Sequence, residues 1–227
     1  DVDAGLGNDT VSVLLSATRS DLSYNAVNVE GGGGADTIGV ALSATKSDLY
    51  SNEATVDGGT GADTISLAMA GRYLNYNTVS MNGGAGSAND VLTLTARGSY
   101  IYDNDMTMAG GGGDDAISLA FTGTGSIYSN TVSMDGGSGA DTLSLSVAAT
   151  DDFSYNDIAM TGGAGNDALD VSIFATSDVY SNDIFMDGGD GIDTLSLSWT
   201  VTYSYYNSYN EVTMLGFPNA FKNSFPW

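Results

Sequence analysis

The 227-residue sequence predicts an all-β fold, a right-handed parallel β-solenoid of about eight coils, and three observations carry that reading. A glycine-rich segment closing on an aspartate recurs eight times. An asparagine preceded within two residues by a tyrosine recurs with it. Between these markers the residues alternate apolar and polar with a period of two.

The closing aspartates are Asp9, Asp36, Asp63, Asp90, Asp115, Asp141, Asp167 and Asp193, separated by 27, 27, 27, 25, 26, 26 and 26 residues. The asparagines are Asn25, Asn52, Asn77, Asn104, Asn130, Asn156, Asn182 and Asn210. From each asparagine to the next aspartate the distance is 11, except for 13 between Asn77 and Asp90, where Gly83-Gly84-Ala85-Gly86-Ser87-Ala88-Asn89 is enlarged. The other variation in length falls between aspartate and asparagine. One corner of the unit is therefore constant and the other free, as expected of stacked coils.

Each unit offers two alternating strands. After the aspartate come Ile65-Leu67-Met69, Leu92-Leu94-Ala96, Leu143-Leu145-Val147 and Leu195-Leu197-Trp199, interleaved with Thr, Ser or Ala. After the asparagine come pairs such as Val79-Met81, Val132-Met134 and Ile184-Met186. Six of the eight methionines share that second slot (Met81, Met108, Met134, Met160, Met186, Met214), which reads as core filling. Helix is excluded by 31 glycines and by β-branched residues in the periodic segments. A sandwich would not repeat one unit eight times, because its strands occupy different environments. Stacked at about 4.8 Å per coil, eight units make a rod of roughly 40 Å. The solenoid spans residues 1–214.

Composition restricts function. With 28 acidic residues against 5 basic ones the net charge is −23, which opposes compaction unless it is neutralised. Nucleic acid and anionic membranes are disfavoured as partners and cations are favoured. The absence of His and Cys removes the commonest general base and thiolate chemistry, so zinc enzymes, cysteine proteases and Ser-His-Asp hydrolases are disfavoured. Five scattered Lys and Arg residues build no lyase-like groove, and no enzyme is expected. No apolar run approaches the roughly 18 residues of a membrane span. The chain opens within the pattern at Asp1-Val2-Asp3, as a mature or excised piece would.

The glycine-rich turns include Glu30-Gly31-Gly32-Gly33-Gly34-Ala35-Asp36, Asp57-Gly58-Gly59-Thr60-Gly61-Ala62-Asp63, Asp135-Gly136-Gly137-Ser138-Gly139-Ala140-Asp141 and Asp187-Gly188-Gly189-Asp190-Gly191-Ile192-Asp193. Over about 190 residues they follow G-G-x-G-x-D-x-(apolar)-x, and the chain resembles the RTX, or haemolysin-type, calcium-binding repeat family. The resemblance implies Ca²⁺ ions between successive turns along one edge. The chemistry suits it: Ca²⁺ takes six to eight oxygens, and glycine lets several carbonyls face one point. Carboxylates about 5 Å apart on adjacent coils repel by roughly 3 kcal/mol at an effective dielectric of 20, so a cation row would hold them together. The ligands so implied are Asp9, Gly31, Gly34, Asp36, Asp57, Gly58, Gly61, Asp63, Asp90, Asp115, Asp135, Gly136, Gly139, Asp141, Gly162, Gly165, Asp167, Asp187, Gly188, Gly191 and Asp193. An ordinary ion-free G/D-rich turn is the alternative. The chain departs from the family in carrying the motif once per coil, in a first turn (Asp3 to Asp9) that lacks one glycine, in the enlarged fourth turn, and in Ala109 and Thr161 where other turns have a leading acid.

At the far corner, Ala17-Thr18-Arg19-Ser20-Asp21, Ala44-Thr45-Lys46-Ser47-Asp48, Ala149-Thr150-Asp151-Asp152 and Ala175-Thr176-Ser177-Asp178 read as side chains capping turn backbone, with a second cation row as the alternative. The asparagines read as a stacked amide ladder with tyrosines partly packed beside it, the alternative being a carbohydrate-binding strip. Thr10, Thr37, Thr64, Thr142 and Thr194, with Ser66, Ser118, Ser144 and Ser196, form a Thr/Ser array suited to ice or to lateral packing, interrupted by Val91, Ala116, Ala168 and Asp170. Residues 215–227 leave the pattern, hold both prolines and read as a capping or docking segment. The expectation is a calcium-binding, secreted or cell-surface structural solenoid: an adhesin, fibre or surface-layer element able to self-associate. An ice- or glycan-binding module and the secretion appendage of a larger enzyme are the alternatives. Secretion follows from the resemblance, since such repeats fold where calcium is plentiful.

Overall fold

A computed structural model describes residues 1–203, 207–216 and 221–224. The chain winds into a parallel β-solenoid of about eight turns whose coils contribute one strand to each of three sheets. The long strands follow the marker aspartates, from Thr10–Thr18 to Thr194–Val201, and make an eight-stranded sheet. The returning strands follow the asparagines. They begin with Ala26–Glu30, include Thr131–Ser138, and belong to a ten-stranded sheet.

The third sheet was not legible as strand. It consists of pieces such as Leu22–Ser23, Tyr100–Tyr102 and Phe153–Ser154, which pair coil to coil just before each asparagine. Two strands per unit were expected and three are present, because two or three residues are too few to display an alternation.

The register is without offset throughout. Met81, Met108, Met134, Met160, Met186 and Met214 stack in one file. Ile65, Leu92, Ile117, Leu143 and Leu169 form another, and Leu74, Ile101, Ile127, Phe153 and Val179 line the short sheet. These files meet in one continuous apolar core. A one-residue slip would turn every inward side chain out, so the burial of alternate residues fixes the register.

Beyond the last coil, Phe221–Ser224 pairs antiparallel with Glu211–Leu215 and is the tenth strand of the returning sheet. The rest of the expected capping segment, residues 217–220 and 225–227, lies outside the described residues.

Four of the five basic residues are less scattered than their spacing in sequence suggested. Lys46, Arg72 and Arg97 line one groove at the far corner of coils two to four, and the Arg19 N–H donates to the Thr45 carbonyl on the same edge.

Candidate functional site

Each glycine-rich turn reverses the chain in about six residues, and its second and fourth positions take positive φ, as at Gly137 (103°) and Gly139 (128°). Residues with a Cβ are strained there. A Cβ would also strike the preceding crest: Gly139 sits over the Gly113 carbonyl, Gly165 over that of Gly139, and Gly191 over that of Gly165. Gly34 and Gly61 are placed alike, over Gly7 and Gly34. The crests are joined directly by backbone. Gly33 N–H donates to the Gly5 carbonyl at 2.8 Å, Gly34 N–H to the Thr60 carbonyl at 2.7 Å, and Gly139 N–H to the Ala164 carbonyl at 2.8 Å. Carbonyls at the second and third turn positions are thereby committed to the neighbouring coil.

The marker aspartates lie at the root of the turn, facing inward. From Asp36 to Asp193 they are buried, Asp63 and Asp141 at 1% exposure, and Asp9 on the first coil is half-buried. From Asp36 onward each Oδ1 accepts the N–H of the marker aspartate one coil earlier. The bonds Asp9→Asp36, Asp36→Asp63, Asp63→Asp90, Asp90→Asp115 and Asp115→Asp141 are all 2.7 Å, Asp141→Asp167 is 2.8 Å and Asp167→Asp193 is 2.9 Å. The file passes the enlarged fourth turn unbroken, so the extra residues are absorbed at the crest.

The second oxygens have no such partner. Oδ2 of Asp9, Asp36, Asp63, Asp115, Asp141, Asp167 and Asp193 is buried without a hydrogen bond. Burial pushes the carboxyls of Asp63, Asp90, Asp115, Asp141 and Asp167 upward, against the lowering effect of the N–H each accepts. For Asp115 burial, with help from Asp141, Asp90 and Asp114, raises the value to about 6.

Six of these seven orphaned oxygens face the first glycine of their own turn: Gly31, Gly58, Gly110, Gly136, Gly162 and Gly188; the turn of Asp9 has Ala4 in that place. A Cβ built on Gly136 would lie 2.6 Å from both Asp141 Oδ2 and the Gly162 carbonyl; on Gly31 it would lie 2.7 Å from Asp36 Oδ2 and 2.5 Å from the Gly58 carbonyl. Gly136→Ala is therefore expected to cost about 3 kcal/mol by overpacking. Gly39→Ala, where the nearest atom would be 3.7 Å away, should stay within about 0.5 kcal/mol. Urea denaturation of both variants checks the pair, and equal midpoints would contradict the packing of carboxylate on glycine.

The leading acids stand apart from this file. Asp57 Oδ1 accepts the Gly59 N–H at 3.1 Å, Asp187 Oδ1 accepts the Gly189 N–H at 3.1 Å, and Asp135 is exposed. Two glycines and one recurrent position were missed in sequence. Gly83 and Gly110 underlie Asp90 and Asp115 as Gly136 underlies Asp141, and their place in the motif could have shown it. The residue before the marker also acts: Asn8, Asn89, Asp114 and Asn166 accept an N–H from the next turn at 2.8–2.9 Å.

The donor set fits a hard cation at the root of the turn. Buried, unpartnered carboxylate oxygens stand beside the first-glycine carbonyl of the next coil, and among the described residues no backbone N–H is directed at the carbonyls of Gly58 or Gly83. Among the described residues no three acidic side chains converge, so an ion here would draw largely on backbone oxygens. Between the crests the bonds of one turn to the next leave few oxygens over.

At the opposite corner the asparagines are satisfied. Asn130 Oδ1 accepts the N–H of Asn104 at 3.2 Å and its Nδ2 at 2.9 Å, while its own Nδ2 donates to Ile101 O, Tyr128 O and Asn156 Oδ1, each at 3.0 Å. The residue before each asparagine is left-handed, with φ between 50° and 62° from Tyr24 to Tyr209. At the far corner the aspartates cap the neighbouring coil: Asp21 Oδ1 accepts the Asp48 N–H and Asp152 Oδ1 the Asp178 N–H, both at 3.1 Å.

No protein-family model, no curated protein and no solved structure matches the chain.

Proposed function

We propose that the chain is a non-catalytic, extracellular structural rod whose buried aspartate file takes up calcium, as an adhesin, fibre or surface-layer element would. The observation carrying this reading is the row of seven buried Oδ2 atoms without a partner, repeated at the coil spacing beside backbone carbonyls. Ions along that row would offset the mutual repulsion of the carboxylates and part of the −23 net charge. Asp63, Asp141 and their neighbours would supply the anionic oxygens, Gly58, Gly83 and their equivalents the carbonyls. Calcium contributes charge neutralisation alone. Binding to the folded coil and not to the open chain makes folding depend on calcium, which suits a protein that matures outside the cell.

Lateral assembly accords with the long sheet. Its outward positions are mostly Thr, Ser and Ala, and the charged residues among them are Arg97 and Asp170. On a chain this acidic, such a face is the one where two rods meet with least repulsion.

The test is a calcium titration after exhaustive chelation, followed by far-UV circular dichroism with light scattering on the same samples. A cooperative gain of β-signal is expected, with each site adding about 2.7 kcal/mol of stability at one hundred times its Kd. Scattering that rises in step would report assembly. A chelated protein already folded, with a melting midpoint unmoved by millimolar calcium, would sink the metal reading and turn attention to ice and glycans on the Thr/Ser face.

A further inference from the structure

The tyrosines beside the asparagine ladder form a file of their own. Each coil places one ring either one or two residues before its asparagine, as at Tyr24, Tyr50, Tyr76, Tyr102, Tyr128, Tyr155 and Tyr180. Successive rings touch: Tyr24–Tyr50 edge-on at 5.6 Å, Tyr50–Tyr76 at 5.5 Å, Tyr76–Tyr102 at 6.4 Å, and Tyr102–Tyr128 stacked at 5.0 Å. Contact resumes at Tyr155–Tyr180, 5.1 Å apart. Among the described residues the ring contacts lapse between Tyr128 and Tyr155, where buried Ser154 stands in register between Tyr128 and Tyr180 and the coil carries its ring one residue later, on Tyr155. A groove of about 510 Å³ opens there, with Tyr128, Tyr155 and Tyr180 as aromatic walls and Ser126, Ser154 and Asp152 among its lining.

The groove is aromatic and anionic at once. Asp152 lines it, the Ser126 hydroxyl donates to Asp151 at 3.3 Å, Asp103 raises the hydroxyl pKa of Tyr76, and burial, with Asp103 beside it, raises that of Tyr128. Rings edged by carboxylates attract cations through the ring quadrupole and through plain charge. The same strip holds one already: the Arg72 guanidinium lies 4.9 Å from the centre of the Tyr73 ring, and Tyr73 also lines the groove. A neutral sugar could hydrogen-bond to Asp152 but gains nothing from the net charge of −23, whereas a basic group gains from both.

We propose that this groove is a docking site for the guanidinium or ammonium side chain of a basic peptide segment on a partner protein, seated over Ser154 against Tyr128, Tyr155, Tyr180 and Asp152. The site lies on the short-sheet face, away from the aspartate file, and is independent of calcium at that file.

A blocked tri-arginine peptide titrated into the calcium-saturated protein at about 0.15 M salt, followed by calorimetry and by the NMR shifts of the tyrosine rings, tests this. Saturable one-to-one binding is expected, weakened at least tenfold by Ser154→Tyr, which adds a ring like those in register at Tyr128 and Tyr180, and by Asp152→Asn, which keeps the acceptor for the Asp178 N–H. Circular dichroism and melting midpoint should not change in Asp152→Asn, and Tyr155→Ala supplies a second probe if Ser154→Tyr perturbs packing. Equal peptide affinity in all variants would mean diffuse attraction to an acidic rod and would overturn the proposal. So would binding of a neutral β-1,4-linked tetrasaccharide without binding of the peptide, or a dimer in sedimentation that Asp152→Asn dissociates.

Discussion

Asn130→Ala is expected to destabilise the solenoid by about 4 kcal/mol, because one side chain serves five hydrogen bonds in the interior of the stack. Truncation strips the Asn104 N–H of its acceptor and the Asn104 amide of one of its three, and removes the amide donor to the Ile101 and Tyr128 carbonyls and to Asn156 Oδ1, which keeps only the Asn130 backbone N–H. A buried polar group left unsatisfied costs about 1–3 kcal/mol, and neighbours sharing a network do not add fully. Asn25→Ala is the matched control. Asn25 donates to Ser23 O and Asn52 Oδ1, but it stands on the first coil, where no earlier asparagine uses its oxygen. Its loss should cost about half as much. Urea melts of the two variants measure the difference, and equal, small losses would show that the ladder is not what holds this corner.

That ladder was readable in advance because identical residues at one position, eight times over, have no other economical use in a stacked fold. The same holds for the inward files of Ile, Leu and Met, whose period of two both defines the strand and assigns its face. The short third sheet was hidden because pieces such as Leu22–Ser23 carry no period. The environment of the marker aspartates was hidden for a different reason. Sequence places an acid at the end of a glycine turn, and an acid there can face the crest or the root. Facing inward, Asp141 lies on Gly136, and only the absence of a Cβ makes the room. The necessity of that first glycine is a tertiary fact, whereas the positive φ of Gly139 is a local one that the motif already implied. Lys46, Arg72 and Arg97 came together through coil stacking, since residues some 26 apart in sequence are neighbours along the rod.

In chelator the protein should become more stable as the pH falls from about 7 to about 5. Five stacked carboxyls, Asp63, Asp90, Asp115, Asp141 and Asp167, have raised pKa values through burial, Asp115 to about 6 against 3.8 in the open chain. Between those values the folded state holds more protons than the unfolded one, so the stability rises on acidification and levels off near pH 4, where the open chain protonates as well. Relief of self-repulsion acts in the same direction. Calcium should reverse the slope. A divalent ion on Oδ2 favours the ionised carboxylate and depresses proton affinity in the folded state, and stability is then lost as acid displaces the metal. Melting midpoints at pH 7, 6 and 5, with chelator and with millimolar calcium, give the two slopes. A chelated protein that loses stability on acidification would mean the carboxylates are ionised and paired in the fold, against the orphaned oxygens described above. Two parallel rising slopes would place calcium, if it binds at all, away from the aspartate file.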